Sequence, residues 1–130
     1  GLTMNSFSSV SLDPPLILFS LDKGSDGLDD FTAAEHFGVN ILSDEHEELS
    51  TRFAMADDKS IRDDEFVVWE SGAPILKDMI ANLDCVPEKQ IEGGDHIIFL
   101  CRVLDTGSSI GGDPLLYFRS RYFTVEPAVS

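Results

Sequence analysis

The opening residues, Gly1-Leu-Thr-Met-Asn-Ser-Phe-Ser-Ser-Val-Ser-Leu-Asp-Pro-Pro15, decide how the rest of the chain is read. Thr3, Ser6, Ser8, Ser9 and Ser11 supply hydroxyls and Asn5 an amide, interleaved irregularly with Met4, Phe7 and Val10. A strand lying between water and a core keeps a period of two. Phe7 and Val10 break that period, so both reach one face only if the strand bulges or bends near Ser8-Ser9. Small polar side chains at such an irregularity leave backbone N–H and C=O groups open to a flat polar ligand. The same residues also describe a serine-rich edge strand ending in a Pro-Pro turn, and chemistry alone leaves both readings open.

Working outward, Leu16 to Leu21 reads as a strand buried on both faces, running into the polar turn Asp22-Lys-Gly-Ser-Asp-Gly27. Ser25 or Asp26 there also suits the N-cap of a following helix. Residues 28–36 form that short helix, with acids in its first turn and Leu28 and Phe31 on its buried stripe. Phe37, Val39 and Ile41 alternate as a strand. A second helix over Asp44 to Met55 pairs Leu49 with Phe53; Arg52 on it faces outward in the favoured reading, with a turn toward a phosphate site as the alternative. Residues 57–65 are an acidic, solvated connection. Phe66 to Trp69 is a short strand or a buried turn, and Ser71 to Pro74 a reversal. Further strands follow at residues 80–86, Ile91 to Val103 and Pro114 to Val125, the last two joined by a loop from Leu104 to Asp113. In that final strand Tyr117, Arg119 and Arg121 share a face by parity. The fold class is mainly β: an antiparallel β-barrel with two short helical insertions.

The 130 residues make one domain, residues 1–130, with 42% hydrophobic content. Twenty-four acids against 9 bases give a net charge of −15, which argues against nucleic acid as a partner. An anionic cofactor must therefore find a local cationic pocket, with Lys23, Arg52, Lys59, Arg102, Arg119 and Arg121 as candidates. No apolar run approaches the roughly 20 residues of a membrane helix, so no membrane partner is expected. Cys85 and Cys101, far apart in apolar settings, read as buried free thiols of a cytoplasmic protein. His46-Glu-Glu-Leu-Ser50 lacks the second histidine of a zinc-protease helix. His36, His46 and His96 fall in separate elements, so no metal site is expected. There is no P-loop, dinucleotide glycine fingerprint or nucleophile elbow.

Four stretches, in order and spanning nearly the whole chain, carry a resemblance: Gly1 to Ser20, Phe37-Gly-Val-Asn-Ile-Leu42, Gly94-Asp-His96 and Pro114-Leu-Leu-Tyr117. They resemble the short-chain flavin reductases, FMN-binding split-barrel proteins that serve as reductase components of two-component monooxygenases. The resemblance implies an antiparallel split β-barrel beginning before Gly1, so that this chain lacks its N-terminal strands. It implies FMN or FAD as cofactor, NADH or NADPH as hydride donor, and a flavin-dependent monooxygenase as partner to a homodimer. Backbone groups of Thr3, Met4, Asn5, Ser6, Ser9, Val10 and Ser11 would hold the flavin ring, and Lys23 and Ser25 its phosphate. Asp26-Gly27 departs from the family, which offers a second hydroxyl there. His96 would lie beside the isoalloxazine and seat the nicotinamide with Tyr117, and Arg119 would meet the dinucleotide phosphates. Ser120 stands where the family has a glycine. No protein acid or base is required, because the cofactors carry the hydride chemistry. A flavin carrier without nicotinamide turnover and a pyridoxamine-phosphate-oxidase-like enzyme are the alternatives.

Overall fold

The computed structural model describes residues 1–109, 111–126 and 128. Its strands are β1 (Ser8–Leu12), β2 (Pro15–Asp22), β3 (Phe37–Ile41), β4 (Phe66–Val68), β5 (Pro74–Leu76), β6 (Ala81–Gly93), β7 (His96–Ser108), β8 (Leu116–Phe118) and β9 (Arg121–Phe123). Its helices are α1 (Leu28–Ala33) and α2 (Glu47–Met55). The class is the expected one, mainly β and antiparallel with two helical insertions. Five strands form one sheet in the order β1-β2-β7-β6-β3, while β4-β5 and β8-β9 are separate hairpins. Among the described residues no ladder joins β1 to β3, so the sheet is open. No helix is long and apolar enough to cross a membrane.

Period-two alternation builds the main core. Ile17, Phe19 and Leu21 of β2 point inward with Phe99 and Cys101 of β7, Cys85 of β6 and Phe37 of β3. α1 covers this face and adds Phe31, so that Phe19, Phe31, Phe37 and Phe99 pack with centroids 5.2 to 6.3 Å apart, mostly edge to face. Each such side chain withdrawn from water contributes about 1.5–3 kcal/mol. A second cluster of Phe53, Leu76 and Met79 seats α2 on the β4-β5 hairpin. Gly38 lets that hairpin approach β3, since a Cβ there would lie 2.1 Å from the Pro74 carbonyl oxygen.

Several expectations are corrected. β2 is sealed on one face only; Leu16, Leu18 and Ser20 alternate as half-buried residues on the other. The strand expected from Ile91 to Val103 is divided by a turn at Gly94, φ 71°, leaving Ile91 in β6 and starting β7 at His96. β7 runs on to Ser108, through the first half of the expected loop, because its ladder with β6 continues to Ala81. The expected strand from Pro114 to Val125 is a hairpin, reversed at Arg119 and Ser120, whose φ values are 53° and 63°. Each helix is shorter than expected at one end, α1 at its C-terminus and α2 at its N-terminus, and α1 is capped at Gly27 without a side-chain bond from Ser25 or Asp26. Arg52 does not face out: its guanidinium reaches back to Glu65 at 2.7 Å and lies 4.6 Å from the Phe53 ring centre. That bond holds the Glu65 carboxyl below the usual carboxylate range.

Candidate cofactor site

The sheet edge at β1 carries the irregularity expected from the opening residues. Ser9 pairs with Ile17 but Ser11 with Leu16, so Val10 is the extra residue of a bulge, and its side chain is 47% exposed. The ladder ends at Ser8, and a side chain takes over from there. The Ser6 hydroxyl accepts the Ser20 N–H at 2.9 Å and donates to the Ser20 carbonyl at 3.0 Å, where a strand partner's backbone would sit. Thr3 donates its hydroxyl to the Ser50 carbonyl of α2 at 2.6 Å. Met4 packs against the main core and Asn5 is exposed. The candidate flavin residues Thr3, Met4, Asn5, Ser6, Ser9, Val10 and Ser11 thus lie along one edge, beside β2 and α2.

At the end of β2 the turn beginning with Lys23 meets the turn before His96. The β2-β7 register sets Asp22 opposite His96, and the Lys23 N–H donates to the Asp95 carbonyl at 2.8 Å. The turn is closed by its own side chain, Gly24 N–H donating to Asp22 Oδ1 at 2.7 Å, while Gly27 N–H makes a longer bond of 3.4 Å to Ser25 Oγ. Lys23 Nζ pairs with the Glu92 carboxylate, and His96 Nδ1 lies 2.8 Å from Asp95 Oδ1. The hydrogen bond from His96, then its charge, holds the Asp95 carboxyl below its ordinary value. Asp22, Asp95 and His96 also bring ligand atoms within 4.8 Å of one another, a grouping that histidine spacing in the sequence gave no sign of. The two aspartates are open to solvent and sit at separate turns, Asp22 accepting the Gly24 N–H and Asp95 bonded to His96.

Tyr117 and Arg119 stand elsewhere. Tyr117 faces Tyr122 across the β8-β9 hairpin, with ring centroids 5.3 Å apart. Arg119 is in the turn, its guanidinium 5.1 Å from the Phe118 ring centre. Tyr117, Arg119 and Arg121 therefore do not share one strand face, because the reversal breaks their parity. Nor does β8 pair with β7. The hairpin is tied instead to α2, where the Tyr122 hydroxyl and Ser50 Oγ lie 2.8 Å apart. The structure thus brings Lys23, Ser25 and His96 to one end of β2, and Thr3 toward the hairpin of Tyr117 through Ser50. Among the described residues no hydrogen bond or ladder connects His96 with Tyr117. Ser50, Tyr122 and Glu92 were not singled out from the sequence; only the long-range contacts identify them. Two surface depressions over α2, lined by Glu45, His46, Glu47, Glu48, Arg52 and Arg62 among others, are acid-rich and share only Arg52 with the candidate cations.

The residues present suit a flat anionic cofactor. A bulge interrupts the edge ladder at Val10, serine hydroxyls flank it, and a lysine stands in the turn after β2. Comparison with known proteins points the same way. The family description "Flavin reductase like domain" matches residues 1–126. The chain is 38% identical over 127 residues to the reductase component of a flavin-dependent trigonelline monooxygenase from Acinetobacter baylyi, covering 95% of this chain and 40% of that protein. It is 39% identical over 123 residues to the stachydrine N-demethylase reductase subunit of Rhizobium meliloti, covering 95% of this chain and 53% of that one. The chain thus spans about half the length of these relatives, or less. A solved Streptomyces globisporus NADH:FAD oxidoreductase, in complex with NAD and FAD fragments, superposes with a TM-score of 0.87 at 34% identity, over 99% of this chain and 79% of that structure. The chain belongs to the flavin reductase like domain family.

Proposed function

We propose that this chain is the catalytic domain of an NAD(P)H:flavin oxidoreductase that supplies reduced FMN or FAD to a partner monooxygenase. The family match over residues 1–126 carries this reading, with support from relatives named as monooxygenase reductase components. When bound, the nicotinamide would supply the hydride donor and the flavin the acceptor. The chain's own residues orient the two rings and exclude water. Backbone N–H groups from Thr3 to Ser6 and from Ser9 to Ser11, around the Val10 bulge, would hydrogen-bond the flavin's polar edge. Lys23 and Ser25 hold the phosphate. His96 seats the nicotinamide, and Tyr117 and Arg119 complete its side of the site.

The working unit is a homodimer. Candidate nicotinamide residues fall in two regions that, among the described residues, no hydrogen bond joins within one chain. Apolar residues remain uncovered around the β1-β2 turn, with Leu12 95% exposed and Val10 47%. The experiment is anaerobic oxidation of NADH and of NADPH by the full-length protein with FMN, FAD and riboflavin, with sedimentation of the same sample. Flavin-dependent oxidation by a particle of twice the monomer mass is expected. Flavin binding without oxidation of either nicotinamide would favour a flavin carrier instead.

A further inference from the structure

We propose that Tyr122 and Ser50 are positioning residues for the nicotinamide side of the site, holding Tyr117 and Arg119 against the helix that also receives Thr3. The inference rests on the flavin reductase reading given above. Ser50 is a helix residue with a small polar side chain, yet it is only 2% exposed. It is engaged from two directions: its Oγ lies 2.8 Å from the Tyr122 hydroxyl, and its carbonyl accepts the Thr3 hydroxyl at 2.6 Å. These partners are 72 and 47 positions away in sequence, so no local preference brings the three together.

The hairpin they hold has little else to hold it. Upstream, Pro114 bridges to Ser43 and the Leu115 N–H donates to the Leu42 carbonyl at 3.0 Å. Beyond Leu115, among the described residues, the Tyr122–Ser50 bond is the one hydrogen bond from residues 116–123 to the remainder of the chain. Leu116, Phe118 and Phe123 are 41%, 61% and 42% exposed, so packing does not fix the hairpin either. Tyr122 lies across from Tyr117 with the two rings in contact, so orienting one phenol orients the other. A phenol bonded to a nearly inaccessible serine is shielded from competing water in a way an exposed pair is not.

Pre-ordering this hairpin lowers the ordering that a nicotinamide must impose when it binds. Its loss removes binding that ground state and transition state share, and so raises KM with little change in kcat. The flavin side is insulated, because Thr3 bonds the Ser50 backbone carbonyl, which neither side-chain change removes. In the full-length protein, Tyr122→Phe and Ser50→Ala should each raise KM for whichever nicotinamide the wild type uses by about fivefold, the worth of one hydrogen bond. Flavin Kd and kcat should stay within about twofold, and the double variant should be no worse than either single, since both remove the same bond. KM unmoved in both variants overturns the proposal alone. So does an additive double, or a flavin Kd that rises in step with KM and with a falling Tm, since these mark a general structural role. A wild type that oxidises no nicotinamide overturns the reductase reading and this proposal with it.

Discussion

Replacing Lys23 with Met keeps the aliphatic stem and removes the charge, which isolates what the ammonium does. The fold should hardly notice. Lys23 and Glu92 side chains are 42% and 77% exposed, and such a pair contributes about 0–1 kcal/mol in water and less in salt. Ligand affinity should respond more strongly. A charge-assisted hydrogen bond to phosphate is worth about 1.5–3 kcal/mol, but Lys23 must first leave Glu92, which offsets part of it. The net loss expected for FMN in Lys23→Met is about tenfold in Kd, against less than about twofold for riboflavin, which has no phosphate. Glu92→Gln gives the opposite sign: it frees the ammonium and lowers the local negative charge, so FMN should bind up to about fivefold tighter. Flavin fluorescence quenching measures each of these affinities, and raised ionic strength should weaken FMN in the wild type more than in Lys23→Met. Equal loss of FMN and riboflavin in Lys23→Met, or weaker FMN in Glu92→Gln, would refute the assignment of this turn to the phosphate.

Three further outcomes follow from other parts of the chain. His96→Ala should reduce kcat/KM for the nicotinamide about 10- to 100-fold with flavin Kd unchanged, because among the described residues its side chain bonds only the exposed Asp95; stopped-flow reduction separates the two effects. Asp84 is wholly buried and accepts the Ser71 N–H at 3.0 Å and the Ser71 hydroxyl, so Asp84→Ala should lower unfolding free energy by about 2–4 kcal/mol in urea; a loss below about 1 kcal/mol would contradict this. Burial pushes the Cys85 and Cys101 thiols up to about 12 in the folded protein, from an ordinary value of 9.0. Their contribution to stability is therefore complete below pH 9 and is lost as pH rises toward 12, with a slope of up to about 1.4 kcal/mol per pH unit per thiol. Cys101→Ala should flatten that alkaline decline, and an unchanged slope would assign it to other groups.

The local grammar of the chain was legible. Phe7 and Val10 out of period announced a bulge, and one is present at Val10. The alternation of Phe37, Val39 and Ile41, and the spacing of Leu49 and Phe53, gave β3 and the buried side of α2. Boundaries failed where a turn uses residues that single-sequence patterns do not mark. Arg119 and Ser120 occupy left-handed backbone that usually favours glycine or asparagine, so nothing in Phe-Arg-Ser-Arg-Tyr warned of a reversal. Gly93-Gly94 does break the chain before a strong strand, and the reversal lies there, but Ile91 belongs to the strand before it rather than the one after. Arg52 looked solvent-facing because its partner, Glu65, lies in an acidic connection that sequence reads as featureless. The candidate site was legible only in part for the same reason. Its residue types could be listed, whereas the sorting of Lys23 with His96, and of Thr3 with the β8-β9 hairpin, depends on contacts across the chain.

The substitution of the Ser6 hydroxyl for a strand partner has an observable corollary. An amide hydrogen held by a neighbouring backbone exchanges with solvent only when the strand pair opens. That of Ser20 is held by one side-chain oxygen at 2.9 Å. Its deuteration therefore tracks the opening segment separately from β2, while the inward residues Phe19 and Leu21 track the sheet. Anything that settles on residues 1–7 should slow Ser20 and leave its sheet neighbours at their own pace. The protein thus carries, in one amide, a native gauge of whether its first seven residues are docked.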